Sequence, residues 1–364
     1  MSQLETRNLK LETISVGGTP TEMGLAYGET LRAPITAFVS QRVEAARIYL
    51  VERGVTDPEA LMKLGAACLE QLRTWHPDGH AEVLATARGA GVDPIALYTT
   101  GNMTDVRDIL VLGGMSAESE GCTTAHAGAG RTAAHQVLAA QTWDLNPGDL
   151  DFVVAVQRRP SDGPATWSVT CAGCPSLVGM NEHGLAVGTT NIKTRGSRVG
   201  IPYLSLLHRL LACRTRAEAE MTLITAPRAA AHTYWIADAS GVSDLECTAT
   251  THLRRETGSD GSLARTNHCL DDNHRRHEGE PATASSQKRL ARARATLDQG
   301  NVTVAGIKAL FADRSDGIDS INRFAEDGQG TSTNACIIAE PVARILHACR
   351  GSSDRGEWRT LSFE

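Results

Sequence analysis

The chain has 364 residues, of which 41% are hydrophobic and 21% are charged, the composition of an ordinary globular protein. Its net charge of −6 excludes non-specific electrostatic binding to nucleic acid, and its aromatic content of 4% argues against an aromatic-lined binding platform. Residues Met1–Lys10 lack the apolar centre of a signal peptide, and no apolar run approaches the roughly 18 residues of a membrane-spanning helix. We therefore expect a cytoplasmic protein with no membrane span and no nucleic-acid partner.

The nine cysteines are an odd number, and no signal peptide precedes them, which predicts reduced thiols rather than a disulfide framework. Cys171 and Cys174 form the one Cys-x-x-Cys pair. A zinc site would need a second such pair or a matching pair of histidines, and the histidines of 268–277 lie in a charged segment typical of a solvated loop. We therefore expect no metal and no cofactor.

The segment before Cys122 is predicted to be mainly helical. Thr19 and Pro20 are residue types that begin a helix, and this helix should run to about Leu50 with a kink or interruption at Pro34. Residues Met115–Glu120 are small and acidic and are expected to form an exposed loop. The other elements predicted here are a strand over 9–16 and helices over 58–75, 78–88 and 94–98.

From Cys122 onward the hydrophobic pattern changes to a period of two residues, which predicts strands. Because runs of strands alternate with groups of helices, we expect packed antiparallel sheets flanked by helices, an α+β fold. The polar segments 251–262 and 271–284 are expected to be surface loops. The predicted strands are 122–127, 135–143, 152–158, 166–171, 185–192, 232–238, 242–248, 334–339, 342–349 and 358–363, and the predicted helices are 202–213, 216–224, 285–298 and 303–312.

The stretch Glu120–Ala125 places a glycine and a thiol at the start of a predicted strand. A thiol can attack the carbonyl on its own N-terminal side only where the backbone is bent, and glycine enters unusual φ/ψ values without steric cost. We therefore predict that the protein cleaves its own Gly121–Cys122 bond, into fragments 1–121 and 122–364. The new α-amine of Cys122, with a reference pKa of about 8, would then serve as the base for the thiol. The alternative interpretation is an ordinary buried strand start, with Cys122 as a small hydrophobic residue.

Several further motifs follow Gly121–Cys122–Thr123 in order. They are Ala140–Gln141–Thr142–Trp143–Asp144, the run from Gly179 to Val187, Thr190–Asn191, Arg265–Thr266–Asn267–His268 and Ser286–Gln287–Lys288–Arg289. With them the chain resembles the acyl-coenzyme A:6-aminopenicillanic acid acyltransferase family of self-cleaving N-terminal-nucleophile (Ntn) hydrolases, from Thr19 to the C-terminus. The resemblance implies a four-layer αββα sandwich of two antiparallel sheets, in a single domain that spans 1–364.

The resemblance also implies roles for individual residues. Asp144 would hold the α-amine of Cys122, and Asn267 would donate a hydrogen bond to the developing oxyanion. Each also has a structural interpretation, since either could be an ordinary turn residue. Arg289, at helical spacing from Ser285 and Ser286, could bind an anionic group of the substrate, but we expect it to make a surface ion pair. The residues assigned to substrate binding are Trp143, Thr190 and Asn191.

These observations predict an amidohydrolase or acyltransferase that forms a thioester between Cys122 and the acyl group of a small amide. Water or an amine would then take the acyl group, and an acyl-coenzyme A would be a co-substrate if the reaction is acyl transfer. The two fragments of the precursor would stay together as partners. Two alternatives remain at this stage: an uncleaved relative that only binds, and a Cys–His hydrolase in which His126, His135 or His268 activates an internal Cys122.

Overall fold

A computed structural model describes residues 9–111, 121–279 and 281–363. The expected loop Met115–Glu120 lies outside these residues. Among the residues before Cys122 the elements are β1 (Glu12–Gly18), α1 (Pro20–Thr30), α2 (Arg32–Glu52), α3 (Ala60–Trp75), α4 (Pro77–Ala90), α5 (Pro94–Gly101) and α6 (Met103–Val111).

The residues after Cys122 alternate between groups of strands and groups of helices. The first group is β2 (Thr123–Ala127), β3 (Leu138–Leu145), β4 (Val153–Pro160), β5 (Thr166–Cys171), β6 (Val178–Asn181), β7 (Ala186–Asn191), α7 (Tyr203–Leu211) and α8 (Arg216–Thr225). The second group is β8 (His232–Asp238), β9 (Gly241–Cys247), β10 (His252–Glu256), β11 (Ser262–Arg265), α9 (Asp272–Arg275), α10 (Ala284–Asp298) and α11 (Val304–Phe311). The last strands are β12 (Ser332–Glu340), β13 (Ile345–Arg350) and β14 (Arg359–Ser362).

The strands form two sheets that face each other. The larger sheet has the order β1-β4-β5-β6-β7-β8-β9-β10 and the smaller has the order β11-β2-β3-β12-β13-β14. All their pairs are antiparallel except β1 with β4, which is parallel. Gln141 of the smaller sheet bridges the two, because its amide donates to the Thr189 carbonyl at 2.5 Å and accepts from the Trp235 indole at 2.7 Å.

Helices cover the outer face of each sheet. Helices α7 and α8 contact the larger sheet, and α10 and α11 contact the smaller one. Leu290, Ala293 and Leu297 recur at helical spacing along α10 and pack with Ala125 and Ala140 of the smaller sheet in one apolar cluster. The predicted α+β class with four αββα layers is therefore confirmed.

Several predicted boundaries differ from the structure. The helix predicted to run from Pro20 to about Leu50 is two helices, because α1 ends at Thr30 and α2 begins at Arg32. Pro34 lies in the first turn of α2, where a missing N–H costs no intrahelical hydrogen bond. Strand β10 lies wholly within the predicted loop 251–262, because it is an edge strand whose charged side chains face solvent, and β11 begins at the last residue of that loop. Helix α6 and strand β6 were not predicted, since each is too short for a clear periodic signal.

The helices of 9–111 dock on the rest of the chain through three buried polar pairs, each of which includes a carboxyl group. These pairs are Arg42–Asp149 at 2.5 Å, Glu82–Arg158 at 2.7 Å and Asp105–His232 at 2.7 Å. In each pair one partner precedes Cys122 and the other follows it. The contact between the two parts of the chain therefore does not depend on the covalent link alone.

Helices α1 and α4 cross at a contact that only glycine permits. A Cβ atom on Gly28 would lie 2.2 Å from the Thr86 carbonyl oxygen, and one on Gly89 would lie 2.5 Å from that of Leu25. We expect Gly28→Ala to lower the free energy of unfolding by about 1–3 kcal/mol, because the added methyl group must push the helices apart. Thermal unfolding measures the change.

The matched control for this substitution is Gly306→Ala in α11. Its Cβ would meet only the Thr303 hydroxyl oxygen, at 3.2 Å, and an exposed helical alanine is favoured over glycine. The control should therefore keep or raise the melting temperature. If Gly28→Ala has the same melting temperature as the unchanged protein, the close crossing of α1 and α4 does not exist in solution.

Candidate active site around Cys122

Strand pairing brings Cys122 beside Asp144, which lies 22 positions along the chain. Thr123 of β2 pairs with Thr142 of β3, so the residue before β2 lies next to the end of β3. The Cys122 sulfur lies 3.9 Å from the backbone oxygen of Asp144, and both residues are buried. The thiol and the carboxylate that the sequence singled out therefore share one end of the smaller sheet.

Gly121 is required here for space. An added Cβ would lie 2.7 Å from both Cβ and Oδ2 of Asp144 and 3.0 Å from Cδ of Arg323. Close approach of the Asp144 side chain therefore excludes a larger residue at position 121, which agrees with the expectation that a bulkier side chain would be crowded there.

The Asp144 carboxyl is fully buried, and its surroundings place its ionisation near neutral pH. Burial raises the pKa of Asp144 to about 6, although the nearby Arg323 and Arg289 guanidinium groups act in the opposite direction. The hydroxyls of Thr333 and Thr142 also favour the ionised form, but neither makes a hydrogen bond of standard geometry with the carboxylate. A carboxyl group in this state can exchange a proton with a neighbour at working pH.

Arg289 is buried in the site, so the predicted surface ion pair is wrong. Its Nη1 donates to the carbonyl oxygens of Gly121 at 2.8 Å and Cys122 at 2.5 Å. Its Nη2 donates to Oδ1 of Asn267 at 3.0 Å. Burial, with Arg323 nearby, lowers the pKa of Arg289 to about 9. The helical spacing of Arg289 from Ala293 and Leu297, which are buried on the same face of α10, was the sequence signal for this position.

A second buried arginine, Arg323, was not predicted at all. It lies in the loop before β12 and donates from Nη1 to the Thr331 hydroxyl at 2.7 Å and from Nη2 to the Ser285 hydroxyl. Ser285 also accepts from Nε of Arg289 at 3.2 Å, so one hydroxyl joins the two guanidinium groups. No motif marks Arg323, because its loop comes close to Cys122 only through the pairing of β12 with β3.

Asn267 contacts the site through Arg289 and Asn191. Its amide nitrogen donates to the Asn191 backbone oxygen at 3.0 Å, and its backbone N–H donates to the Ser286 hydroxyl at 3.0 Å. One of its two amide N–H groups is therefore directed to the end of β7, where Asn191 lies. The structure thus brings Asn267 to the same group of residues as Cys122.

A cavity of about 360 Å³ opens beside Cys122. Trp143, Asp144 and Asn191 line it, and both polar atoms of the buried Asn191 amide have no partner among the described residues. Thr190 does not line it, because alternate residues of β7 face opposite ways and its hydroxyl bonds to Thr233 and to the Thr266 carbonyl. The predicted place of Thr190 on the cavity wall is therefore corrected in favour of Thr189.

None of the three histidines weighed as a base is well placed beside the thiol. His126 lies four residues further along the extended chain, about 13 Å away, and burial lowers its pKa to about 3. His135 is exposed in the turn before β3, at the end opposite Asp144. His268 bonds through Nδ1 to the Ser286 hydroxyl at 2.7 Å, and burial lowers its pKa to about 4.

A different histidine, His232, lines the cavity. Its Nε2 lies 2.7 Å from Asp105 and its Nδ1 lies 3.4 Å from the Thr189 hydroxyl, while its ring stacks on Tyr203 at 4.7 Å between centroids. Both ring nitrogens therefore already have protein partners. The sequence had no signal for this residue, since it lies on an interior strand far from the Cys122 motif.

Within 9–111, 121–279 and 281–363 there is no group of three His, Cys, Asp or Glu side chains arranged to hold a metal ion. Over the same residues, no helix combines the length and apolar character needed to cross a membrane.

Comparisons with known proteins identify the family. The family model described as acyl-coenzyme A:6-aminopenicillanic acid acyl-transferase matches residues 132–355. The 40 kDa form of the acyl-coenzyme A:6-aminopenicillanic-acid-acyltransferase of Emericella nidulans is 22% identical over 266 residues, which cover 71% of this chain and 69% of the relative.

Two solved structures are also similar to this chain. The Caenorhabditis elegans ortholog of N-acylethanolamine-hydrolyzing acid amidase has a TM-score of 0.45 at 12% identity, over 60% of this chain and 93% of its own. Penicillin V acylase from Agrobacterium tumefaciens has a TM-score of 0.44 at 14% identity, over 66% of this chain and 86% of its own. The family match itself covers more than half of the sequence, and the chain therefore belongs to the acyl-coenzyme A:6-aminopenicillanic acid acyl-transferase family.

Proposed function

We propose that this protein is a precursor that cleaves its own Gly121–Cys122 bond and then acts as an N-terminal cysteine amidohydrolase or acyltransferase on small amides. The observation that carries the proposal is the contact between Arg289 and the Gly121 carbonyl oxygen at 2.8 Å, next to the thiol. A guanidinium at this oxygen polarises the carbonyl that Cys122 would attack. It would also stabilise the negative charge that develops there.

Self-cleavage begins with transfer of the Cys122 thiol proton to the Asp144 carboxylate. The sulfur then attacks the Gly121 carbonyl carbon, and the C–N bond breaks as the nitrogen takes a proton, which converts the peptide bond to a thioester. Water hydrolyses this thioester and leaves a carboxylate on Gly121 and an α-amine on Cys122. Asp144 suits the first step because its pKa of about 6 lets it accept a proton near neutral pH.

Turnover uses the same groups in new roles. The α-amine of Cys122 takes the thiol proton, and Asp144 holds the resulting ammonium. The thiolate attacks the substrate amide, Asn267 with the Asn191 amide donates to the oxyanion, and the amine product leaves with a proton. The thioester then passes its acyl group to water or to an acceptor amine. Trp143 on the wall of the cavity beside Cys122 would give the acyl group of a small N-acyl substrate an apolar surface.

The two fragments would remain associated after cleavage. The buried pairs Arg42–Asp149, Glu82–Arg158 and Asp105–His232 all join fragment 1–121 to fragment 122–364. Separating them would expose or strand buried charges, which is strongly unfavourable. The single domain over 1–364 would thus persist as a non-covalent complex.

The alternative is a Cys–His hydrolase with an internal Cys122. His232 is the histidine on the cavity wall, but both of its ring nitrogens face other partners. An acid–base role would require it to leave Asp105 or Thr189. The self-cleaving mechanism needs no such rearrangement, and it is therefore the one we favour.

A second prediction concerns maturation. Purified protein should contain the fragments 1–121 and 122–364, which intact-mass measurement resolves and which elute together in gel filtration. Cys122→Ala should remain a single chain without activity, because it lacks the attacking sulfur. His232→Gln should still be cleaved.

Two results would contradict this prediction. Full activity in protein with only the uncleaved mass would exclude an N-terminal nucleophile. Loss of turnover in a cleaved and folded His232→Gln sample, together with a tolerated Asp144→Asn change, would assign the base to the histidine.

A third prediction concerns the pH dependence of maturation. Asp144 is the base in its ionised form, so the cleavage rate should be constant above pH 6 and fall about tenfold for each pH unit below it. Precursor diluted from denaturant into buffers between pH 4.5 and 8 would be sampled over time on denaturing gels. Asp144→Asn should stay uncleaved throughout.

The control for this experiment is His268→Gln, which should keep the profile of the unchanged protein. Its imidazole is buried with its pKa lowered to about 4, outside the range of the expected transition. A cleavage rate that does not vary between pH 5 and 7, in protein with a constant melting temperature over that range, would exclude Asp144 as the base.

A further inference from the structure

Two buried arginine side chains contact Gly121, the residue that self-cleavage would turn into a new C-terminus. Nη1 of Arg289 donates to the Gly121 carbonyl oxygen at 2.8 Å. A Cβ atom on Gly121 would lie 3.0 Å from Cδ of Arg323, so the Arg323 side chain packs directly against this residue. Arg289 is 1% exposed and Arg323 is 4% exposed, so both guanidinium groups are shielded from solvent. We call these two side chains the arginine pair.

The Arg323 guanidinium has a donor without an acceptor beside Gly121. Its Nη1 and Nη2 donate to the hydroxyls of Thr331 and Ser285. Its Nε is buried and has no partner among the described residues. This nitrogen is bonded to the same Cδ that packs against Gly121. A buried donor left without an acceptor costs free energy, which an acceptor on Gly121 would recover.

Self-cleavage would supply such an acceptor. Hydrolysis of the thioester adds the water oxygen to the Gly121 carbonyl carbon and breaks the bond to sulfur. One proton of the water goes to the Cys122 sulfur and the other to the Cys122 α-amine. The carbonyl group thereby becomes a carboxylate, of which one oxygen can keep the contact with Arg289 while the other accepts from Nε of Arg323. Such bonds between a guanidinium and a carboxylate are stronger than those between neutral groups.

The balance of charge also favours retention of this carboxylate. Before cleavage, the two guanidinium groups of the arginine pair face the carboxyl group of Asp144. Cleavage adds the protonated α-amine of Cys122 as a third positive group. If the Gly121 carboxylate left, three positive groups would face one carboxyl group. In a buried site these like charges repel one another strongly, because the low dielectric screens them little.

We propose that the arginine pair is a carboxylate-binding site, which retains the Gly121 carboxylate after cleavage and thereby inhibits the mature enzyme. This inference rests on the proposed self-cleavage. Because the Gly121 carbonyl carbon is bonded to the Cys122 sulfur in the thioester, the carboxylate is formed in contact with the thiol. The carbonyl carbon of a substrate must reach the same sulfur. Substrate therefore reacts only after the carboxylate has moved away, and a small carboxylic acid can take its place.

The test makes the new C-terminus removable. A recognition sequence for a site-specific protease is inserted between Met115 and Ser116, in the stretch that the sequence predicts to be an exposed loop. The full chain is allowed to cleave itself, and its intact mass confirms the two fragments. The protease then separates a short peptide that ends in Gly121 from the rest of the first fragment. Only the contacts of this peptide then hold it on the protein, so its retention reports the site.

We expect the peptide to stay with the protein through gel filtration. Dialysis against excess N-acetylglycine, which carries the same acyl-glycine carboxylate, should displace it, and N-acetylglycinamide should not. After the probe is dialysed away, calorimetric titration with the synthetic peptide 116–121 should show binding about tenfold tighter for the free acid than for the C-terminal amide.

The thiol gives a second readout that needs no substrate. Iodoacetamide should alkylate Cys122 about tenfold faster in the stripped protein than with the acid peptide bound, because the carboxylate blocks the sulfur and disfavours its thiolate. Peptide mass mapping locates the alkylation, and the other cysteines of the chain serve as internal references.

Variants assign the contact to Arg323. Arg323→Lys keeps the positive charge but lacks the guanidinium Nε, and it should weaken binding of the acid peptide about tenfold. The matched control is Arg292→Lys in α10, whose partly exposed guanidinium faces Asp313 and Asp316 and which should leave binding unchanged. Melting temperatures identify a variant that fails to fold, and the comparison of acid with amide in the unsubstituted protein does not depend on either variant.

Three outcomes would overturn this proposal alone. Loss of the peptide in gel filtration, from protein whose mass shows self-cleavage, would mean that the carboxylate is not retained. Equal binding of the acid and the amide would mean that the site does not recognise a carboxylate. Alkylation of Cys122 that the bound acid leaves unchanged would mean that the carboxylate does not inhibit. A single uncleaved mass before protease treatment would instead overturn the proposed self-cleavage, and this proposal with it.

Discussion

The geometry around Cys122 depends on one buried guanidinium, that of Arg289. It donates to the Gly121 and Cys122 carbonyl oxygens, at 2.8 and 2.5 Å, and to Asn267 at 3.0 Å. A planar group with five donors in fixed directions can hold several acceptors in one arrangement, which a lysine could not do. Helix α10 packs on the outer face of the smaller sheet, and its Arg289 side chain extends to the residues just before β2. This contact fixes the position of the peptide bond between Gly121 and Cys122.

The balance of charge around this guanidinium explains why the site suits acyl chemistry. Arg289 and Arg323 face one buried carboxylate, Asp144, so the immediate surroundings of the thiol carry more positive than negative charge. Burial destabilises the charged form of both side chains. It therefore raises the pKa of Asp144 to about 6 and lowers the pKa of Arg289 to about 9. A new negative charge on sulfur or oxygen would relieve this imbalance, and electrostatic stabilisation of that kind is the largest contribution in many enzymes.

The helices of 9–111 complete the surroundings of the site. Buried polar pairs hold these helices against the larger sheet. Asp105 reaches His232 on the wall of the cavity beside Cys122, and Glu82 reaches Arg158 of β4. Each of these pairs would cost several kcal/mol to break, since either partner left alone would be a buried charge or an unsatisfied polar group.

The sequence by itself determined the order and type of most elements, because the change from helical to period-two hydrophobicity at Cys122 is a local property of the chain. It also singled out the Gly121–Cys122 bond and Asp144, since their residue types and motifs are unusual in themselves. Helical spacing places Arg289 on the apolar face of α10, but only the tertiary structure decided that this face lies against the thiol and that Arg323 lies beside Asp144. The burial of a charged side chain depends on which other elements pack against its own. Those elements come from distant parts of the chain and are brought together by sheet register, which no local pattern encodes.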